Sequence, residues 1–432
     1  MDIFEEGVFI EKLESEMSQD FQDLPVVVIG AGPIGIAGAV HLQNRGLKFV
    51  LFEQSEKIAG AVEQWRHVSL FSPWKRNVDE LSIKLLEKHG YKIPDMNGNP
   101  TGSDFIDEYL APLAATDELT SHIKTGVKVI AVARMGVDKL KMNDKKSPFV
   151  VRVKTKQGIK EVQARGIIDA SGTWRNPNPL GASGIPAIGE LENQKYLAGT
   201  LPDVLGSERA RFADKRVLVV GNGYSAANTI LALTELVKAA PKTKIYWAIR
   251  GKSVKHFYNR GHLSSKAVRW KIGQQIKELV ETSNKLQIVN QFAINSFTEV
   301  ADGVEVSGDT PEGKKSIVVD IIANGTGFRP NFDIHKEIYT DFDAAVEAPT
   351  RMLTFMQSTA DHPKEVEFAG ATAVSHPQSD FYVIGMKSYG RLPGFFLFFG
   401  YEQARVAVAA LANDLEAAGP VTLKLPWNIE KY

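Results

Sequence analysis

Two short glycine runs have the types and spacing that most directly imply chemistry. Gly30-Ala31-Gly32-Pro33-Ile34-Gly35 fits G-x-G-x-x-G, follows the apolar run PVVVIG, and opens a helical stretch through AGAVHLQNRG. Gly30 permits a tight turn, Gly32 lets a pyrophosphate approach the backbone, and Gly35 lets the helix pack closely on the strand. The helix N-terminus then aims at the phosphates. Glu53, beside Gln54, ends the next strand, KFVLFE, where a carboxylate can accept from ribose hydroxyls. The second run, Gly221-Asn222-Gly223-Tyr224-Ser225-Ala226, reads G-x-G-x-x-A in the same context. Its following strand ends in Arg250, with Lys252 and Lys255 beyond. Cations in place of an acid suit a 2′-phosphate, so NADPH is expected there. A solvated loop face is the alternative for these cations.

Elements must hold both runs in position. A chain of 432 residues exceeds the ~250–300 at which one core stops growing, so at least two domains are expected. Strand, glycine turn, helix and strand occur once from Pro25 and again from Lys215 to Arg250. After each unit come β-meander patterns: SPFVVRVKTKQGIKEVQARGIIDASG after the first, and LQIVNQFAINSFTEVADGVEVSG with KKSIVVDIIANGTG after the second. A helix is expected from about Phe395 to Asn413, and residues 1–24 read as a short amphipathic arm. The predicted fold class is α/β, with two Rossmann-like three-layer domains. The first is discontinuous, residues 25–204 and 325–432, and the second is inserted as residues 205–324.

Composition excludes several functions. Lys plus Arg equals Asp plus Glu at 51 each, so no global field points to nucleic acid or an anionic membrane. With no cysteine, neither a disulfide framework nor a thiolate metal site is available. The nine histidines show no metal-binding spacing, and His376 precedes Pro377 in a predicted loop, so no metal is expected. The acidic N-terminus is unlike a secretory signal, and the apolar segment at Phe395 to Phe399 is too short to span a bilayer. A cytoplasmic location is expected, with a small-molecule partner and a homo-oligomer left open.

Taken together, these features resemble the FAD- and NAD(P)-dependent flavoproteins with two dinucleotide-binding domains. Further motifs carry the resemblance: Ile58-Ala59-Gly60, Asp169-Ala170-Ser171-Gly172-Thr173, Ala323 to Pro330 (ANGTGFRP), and Phe381-Tyr382-Val383-Ile384-Gly385. The family's usual Asp after that last glycine is replaced by Met386. The resemblance implies FAD in the first domain, held by Gly30, Gly32, Pro33, Gly35, Glu53, Gln54, Gly60, Trp65, Ser171, Gly172 and Gly385. Val129 would meet the adenine through its backbone, and the helix after Pro393 would point at the flavin. NADPH would be held by Gly221, Gly223, Tyr224, Ser225, Ala226, Arg250 and Lys252.

Without cysteines, the disulfide-reductase branch of these flavoproteins is excluded. Order and length most resemble the class B-type flavin-containing monooxygenases, in which a C4a-hydroperoxyflavin inserts oxygen. Their linker signature F-x-G-x-x-x-H is not met, because Leu197 to Asp203 reads LAGTLPD and Asp203 stands where the histidine would be. Two alternatives therefore remain, a reductase passing electrons to a protein, quinone or small acceptor, and a non-catalytic dinucleotide-binding regulator. Segment position nominates Trp65 and Trp74 as flavin neighbours, and Lys387, Tyr389 and Arg391 as catalytic candidates for binding an anionic substrate or stabilising charge on the flavin.

Overall fold

The computed structural model describes residues 21–92, 95–141, 147–258, 268–359 and 365–424. In the first domain a five-stranded parallel sheet runs, from one edge to the other, through Phe381–Val383, Gly166–Asp169, Val26–Ile29, Phe49–Phe52 and Ile123–Lys124. Val26–Ile29 is an unbroken β-branched run buried at every position, as a central parallel strand covered on both faces requires. Its alternate residues serve different cores. Val26 and Val28 pack towards the Pro33–Asn44 and Leu397–Leu411 helices, whereas Val27 and Ile29 pack towards an antiparallel sheet of Lys128–Arg134, Phe149–Thr155 and Gly158–Ala164. Helices, parallel sheet and meander form the three expected layers.

The second domain repeats this plan. Its parallel sheet has the order Leu286–Val289, Lys244–Ala248, Arg216–Val220, Ile321–Asn324 and Leu197–Ala198. Helices Tyr224–Ala239 and Val268–Thr282 cover one face through Ile230, Leu233, Ile272 and Ile276. The antiparallel strands Ala293–Val300, Gly303–Thr310 and Gly313–Val319 cover the other through Val304, Val306 and Val319.

The pairing of Leu197–Ala198 with Ile322–Ala323 corrects the expected boundary. Leu180, Ala187, Ala198 and Val204 all pack in cores of the second domain, which therefore begins near residue 179 rather than at 205. Two paired crossings join the domains. Pro177 bridges Phe328, Asn178 Nδ2 donates to the Thr326 carbonyl at 3.0 Å, and Asn176 Nδ2 donates to the Arg329 carbonyl at 3.1 Å. Of the expected arm, residues 1–20 lie outside the described residues, and Phe21–Asp23 forms one 3-10 turn. No helix among the described residues is long and apolar enough to cross a membrane.

Candidate dinucleotide sites and the cleft between them

The first glycine turn packs directly on the crossing segment. Gly30 has φ +99°, and a Cβ there would lie 2.9 Å from both the Ala170 carbonyl oxygen and Ser171 Cα. A Cβ on Gly35 would lie 1.8 Å from the Gly30 carbonyl oxygen, so only glycine lets this helix start so close to its strand. A Cβ on Gly32, the N-cap of the Pro33–Asn44 helix, would meet nothing within 4 Å. The turn thus presents open space and a helix N-terminus without a side-chain cap, which fits a dinucleotide pyrophosphate. Beside it the buried Glu53 accepts from Ala31 N–H at 3.0 Å and Ser55 N–H at 2.8 Å, one bond to each carboxylate oxygen. Each oxygen keeps acceptor capacity for a ribose hydroxyl.

Other expected FAD contacts gather around this turn. Ala59 N–H donates to the Ala31 carbonyl at 2.8 Å, folding the segment with Gly60 back onto it. Val127 N–H donates to the Glu53 carbonyl at 2.9 Å, which brings the strand containing Val129 alongside; the Val129 side chain itself is in the core. Gln54 is exposed at the same edge, and Gly172, at φ +66°, borders open space. Gly385 closes the sheet end. Its N–H donates to Oε1 of the fully buried Gln403 at 2.8 Å, linking it to the Leu397–Leu411 helix.

The second turn reproduces this interlock with the small residues exchanged. Gly221 has φ +134°, and a Cβ on it would lie 2.1 Å from the Gly325 carbonyl oxygen. Here Ala226 replaces the third glycine, and the missing methyl is on the crossing instead, because a Cβ on Gly325 would lie 2.9 Å from Ala226 Cβ. Gly223, like Gly32, borders open space at the start of its helix, with Tyr224 and Ser225 next in line. Arg250 is exposed two residues past the end of Lys244–Ala248 and donates to the Ala182 carbonyl at 3.2 Å. Lys252 borders a surface cavity of about 290 Å³ whose lining includes Gln291, Thr310 and Lys315. Arg250 thus lies just past the strand that follows the second glycine turn, and Lys252 two residues further on.

The expected catalytic side chains do not converge. Lys387 is buried, its ammonium donating to Asp169 Oδ2 at 2.7 Å and Ser171 Oγ at 3.2 Å. His335 Nε2 meets the same Oδ2 at 2.6 Å, and Asp169 Oδ1 accepts from Ser171 N–H at 2.9 Å. Burial alone would push the Asp169 carboxyl up, but the Lys387 ammonium and the His335 ring hold it far below the usual carboxylate range. Burial, reinforced by Lys387, lowers the His335 pKa despite the facing carboxylate. The direct substrate contact expected of Lys387 is therefore corrected, since a closed ion pair with Asp169 keeps its ammonium from solvent. Tyr389 is likewise in the core, its ring 5.3 Å from that of Phe395, and Arg391 is on the surface, 2.7 Å from Glu347.

Trp65 packs 6.4 Å from Trp174, which packs 4.7 Å from Phe328, so an aromatic row follows the domain crossings. Trp74 is a core residue against Phe105 and Tyr109. Asp203 accepts from Gly206 N–H, Ser207 N–H and Ser207 Oγ, which pins a turn in the linker. Sequence reasoning gave no role to Asp169, His335 or Gln403. The available signal was an acid ending the otherwise apolar strand Gly166–Asp169, because a buried carboxylate requires a partner.

His376, outside these sites, gives a pH prediction. Its Nδ1 accepts from Asp341 N–H at 3.1 Å, and burial pushes its pKa down to about 3. The unfolded chain takes up this proton below about pH 6.5 while the folded chain does not, so stability falls as pH drops, by up to ~1.4 kcal/mol per unit. Denaturant titrations between pH 7 and 5 should show a shallower slope for His376→Asn, and an equal slope would remove His376 from the account.

The fold and its two turns define a dinucleotide-binding oxidoreductase of the two-domain flavoprotein type. Residues 27–354 match the pyridine nucleotide-disulphide oxidoreductase family, and the chain belongs to that family. Senecionine N-oxygenase from Tyria jacobaeae is 25% identical over 49% of this chain and 44% of its own length. The chain spans about half the length of the curated relatives it matches, flavin-containing monooxygenases among them. Among solved structures, the bacillithiol disulfide reductase Bdr from Bacillus cereus superposes with TM-score 0.67 at 16% identity, covering 91% of this chain and 99% of that one. The Kutzneria ornithine N-hydroxylase, in complex with reduced FAD and NADP+, gives TM-score 0.62 at 16% identity, covering 90% and 99%. The family's own description names a pyridine nucleotide.

Proposed function

We propose that this chain is a cytoplasmic FAD monooxygenase, reduced by NADPH and acting on a small molecule. The observation that carries the reading is the pair of glycine turns, each bordering open space at a helix start, one followed by Glu53 and the other by Arg250. Gly30, Gly32, Gly35 and Glu53 would hold FAD, with Ser171, Gly172 and Gly385 beside it. Gly221, Gly223, Ser225 and Arg250 would hold NADPH. When bound, the flavin would accept hydride from the nicotinamide and pass the electrons to oxygen. The protein's part is to orient the two rings, exclude water and fix charge around them. Two similar proteins are named for oxygenation at nitrogen, which makes amines the first substrate class to test.

A second reading, an NADPH-dependent reductase without oxygen insertion, is favoured by the turn-pinning role of Asp203 where a linker histidine would stand. Stopped-flow absorbance separates the two. After anaerobic reduction by NADPH, mixing with oxygen should give a transient species before the oxidised flavin spectrum returns. Direct return in one phase supports the reductase, and no reduction by NADPH at all rejects both. In the same assay Arg250→Glu should raise the NADPH requirement about ten- to hundredfold, the value of one or two charged hydrogen bonds, and leave NADH nearly unaffected.

A further inference from the structure

Three rings from separate stretches of chain surround the guanidinium of Arg269. Its Cζ lies 5.2 Å from the Phe71 centroid, 5.4 Å from Tyr224 and 5.9 Å from Phe396. Phe71 belongs to a loop of the first domain, and Phe396 is the N-cap of the Leu397–Leu411 helix. Tyr224 is the first residue of the helix leaving the second glycine turn, and Arg269 is in the first turn of Val268–Thr282. The rings also meet one another: Phe71 lies 4.9 Å from Tyr224, which makes an edge contact with Phe257 at 5.4 Å. Phe71 packs against the core of the second domain although the sheet topology assigns it to the first.

We propose that Arg269 is a positioning residue. Together with Phe71 it clasps the start of the Tyr224–Ala239 helix to the start of the Leu397–Leu411 helix and so sets the spacing of the two domains. Domains joined by two crossings are otherwise free to rock. A planar guanidinium can stack on several rings at once, which an ammonium does less well. Given the cofactor reading above, the clasp lies between the turn for NADPH and the helix start expected at the flavin. It would fix the near-contact of about 3–3.5 Å that hydride transfer needs.

The absence of cysteine gives a clean test. Lys160, on an exposed strand of the first domain, and Lys277, on the exposed side of Val268–Thr282, can be changed to cysteine and spin-labelled. The parent should show one narrow inter-label distance, Arg269→Gln and Phe71→Leu a broadened or second distance, and Arg269→Lys an intermediate result. In stopped flow the limiting rate of flavin reduction at saturating NADPH should fall at least about tenfold in Arg269→Gln, NADPH affinity changing little, with partial rescue in Arg269→Lys. Reduction by dithionite should be unaffected. Unchanged label distances in both Arg269→Gln and Phe71→Leu would overturn the clasp, as would an unchanged limiting rate in Arg269→Gln with only NADPH affinity weakened. If NADPH fails to reduce the parent, the cofactor reading falls, and the label distances alone then judge the clasp.

Discussion

Asp169→Asn should lower the unfolding free energy by roughly 3–5 kcal/mol, the cost of leaving a buried charge without its partner. The carboxylate is fully buried and shares one oxygen between the Lys387 ammonium at 2.7 Å and the His335 ring at 2.6 Å. The asparagine removes the anion but leaves the cation. Adding Lys387→Met removes both charges and should recover much of the loss, because paired removal is often neutral. Chemical denaturation of the two single variants and the double variant checks this, and a double variant no more stable than Asp169→Asn would refute the account. The sign with pH also follows. Because the folded carboxyl is held low, its contribution is present above the ordinary carboxylate range near 4 and is lost only in stronger acid. The effect is large because three distant segments of the first domain meet at this carboxylate.

The second large effect separates the two nucleotides. Gly35→Ala would put a methyl 1.8 Å from the Gly30 carbonyl oxygen, and Gly221→Ala would put one 2.1 Å from the Gly325 carbonyl oxygen. Backbone cannot yield as a flexible side chain does, so each turn must open, at a cost of about 1–3 kcal/mol or more. Gly35→Ala should purify with FAD affinity at least about tenfold weaker, read from flavin absorbance per chain. Gly221→Ala should keep its flavin but lose rapid reduction by NADPH. Gly32→Ala is the control: its methyl meets no protein atom, so thermal stability should hold while cofactor affinity drops. Full flavin content in Gly35→Ala would show that the first turn is not the FAD site.

Features carried by local pattern were legible in the sequence. The β-branched runs, glycine spacings and alternating meanders gave both sheets and both turns, because each is decided within a few residues by backbone sterics and burial. Features carried by distant pairs were not legible. Asp169 meets His335 and Lys387 across 166 and 218 positions of chain, and no local period records such a contact. Lys387 and Arg391 looked alike as cations of one glycine-rich turn, yet one is buried and the other exposed. Side-chain direction in an irregular segment depends on what arrives from elsewhere. The domain boundary was misplaced for a similar reason, since Leu197–Ala198 is a two-residue strand recognisable only by its pairing. Trp74, nominated as a flavin neighbour, is claimed by Phe105 and Tyr109, partners its own segment does not predict.

The paired crossings at Pro177 and Phe328 bear on how the chain is made. Entry to and exit from the second domain run side by side, so that domain is one uninterrupted length of polypeptide. Emerging from the ribosome, it can fold to completion while the first domain still lacks its Phe381–Val383 strand and the lysine that neutralises Asp169. The domain begun first is therefore finished last, its parallel sheet open along Gly166–Asp169 until Phe381–Val383 has been made.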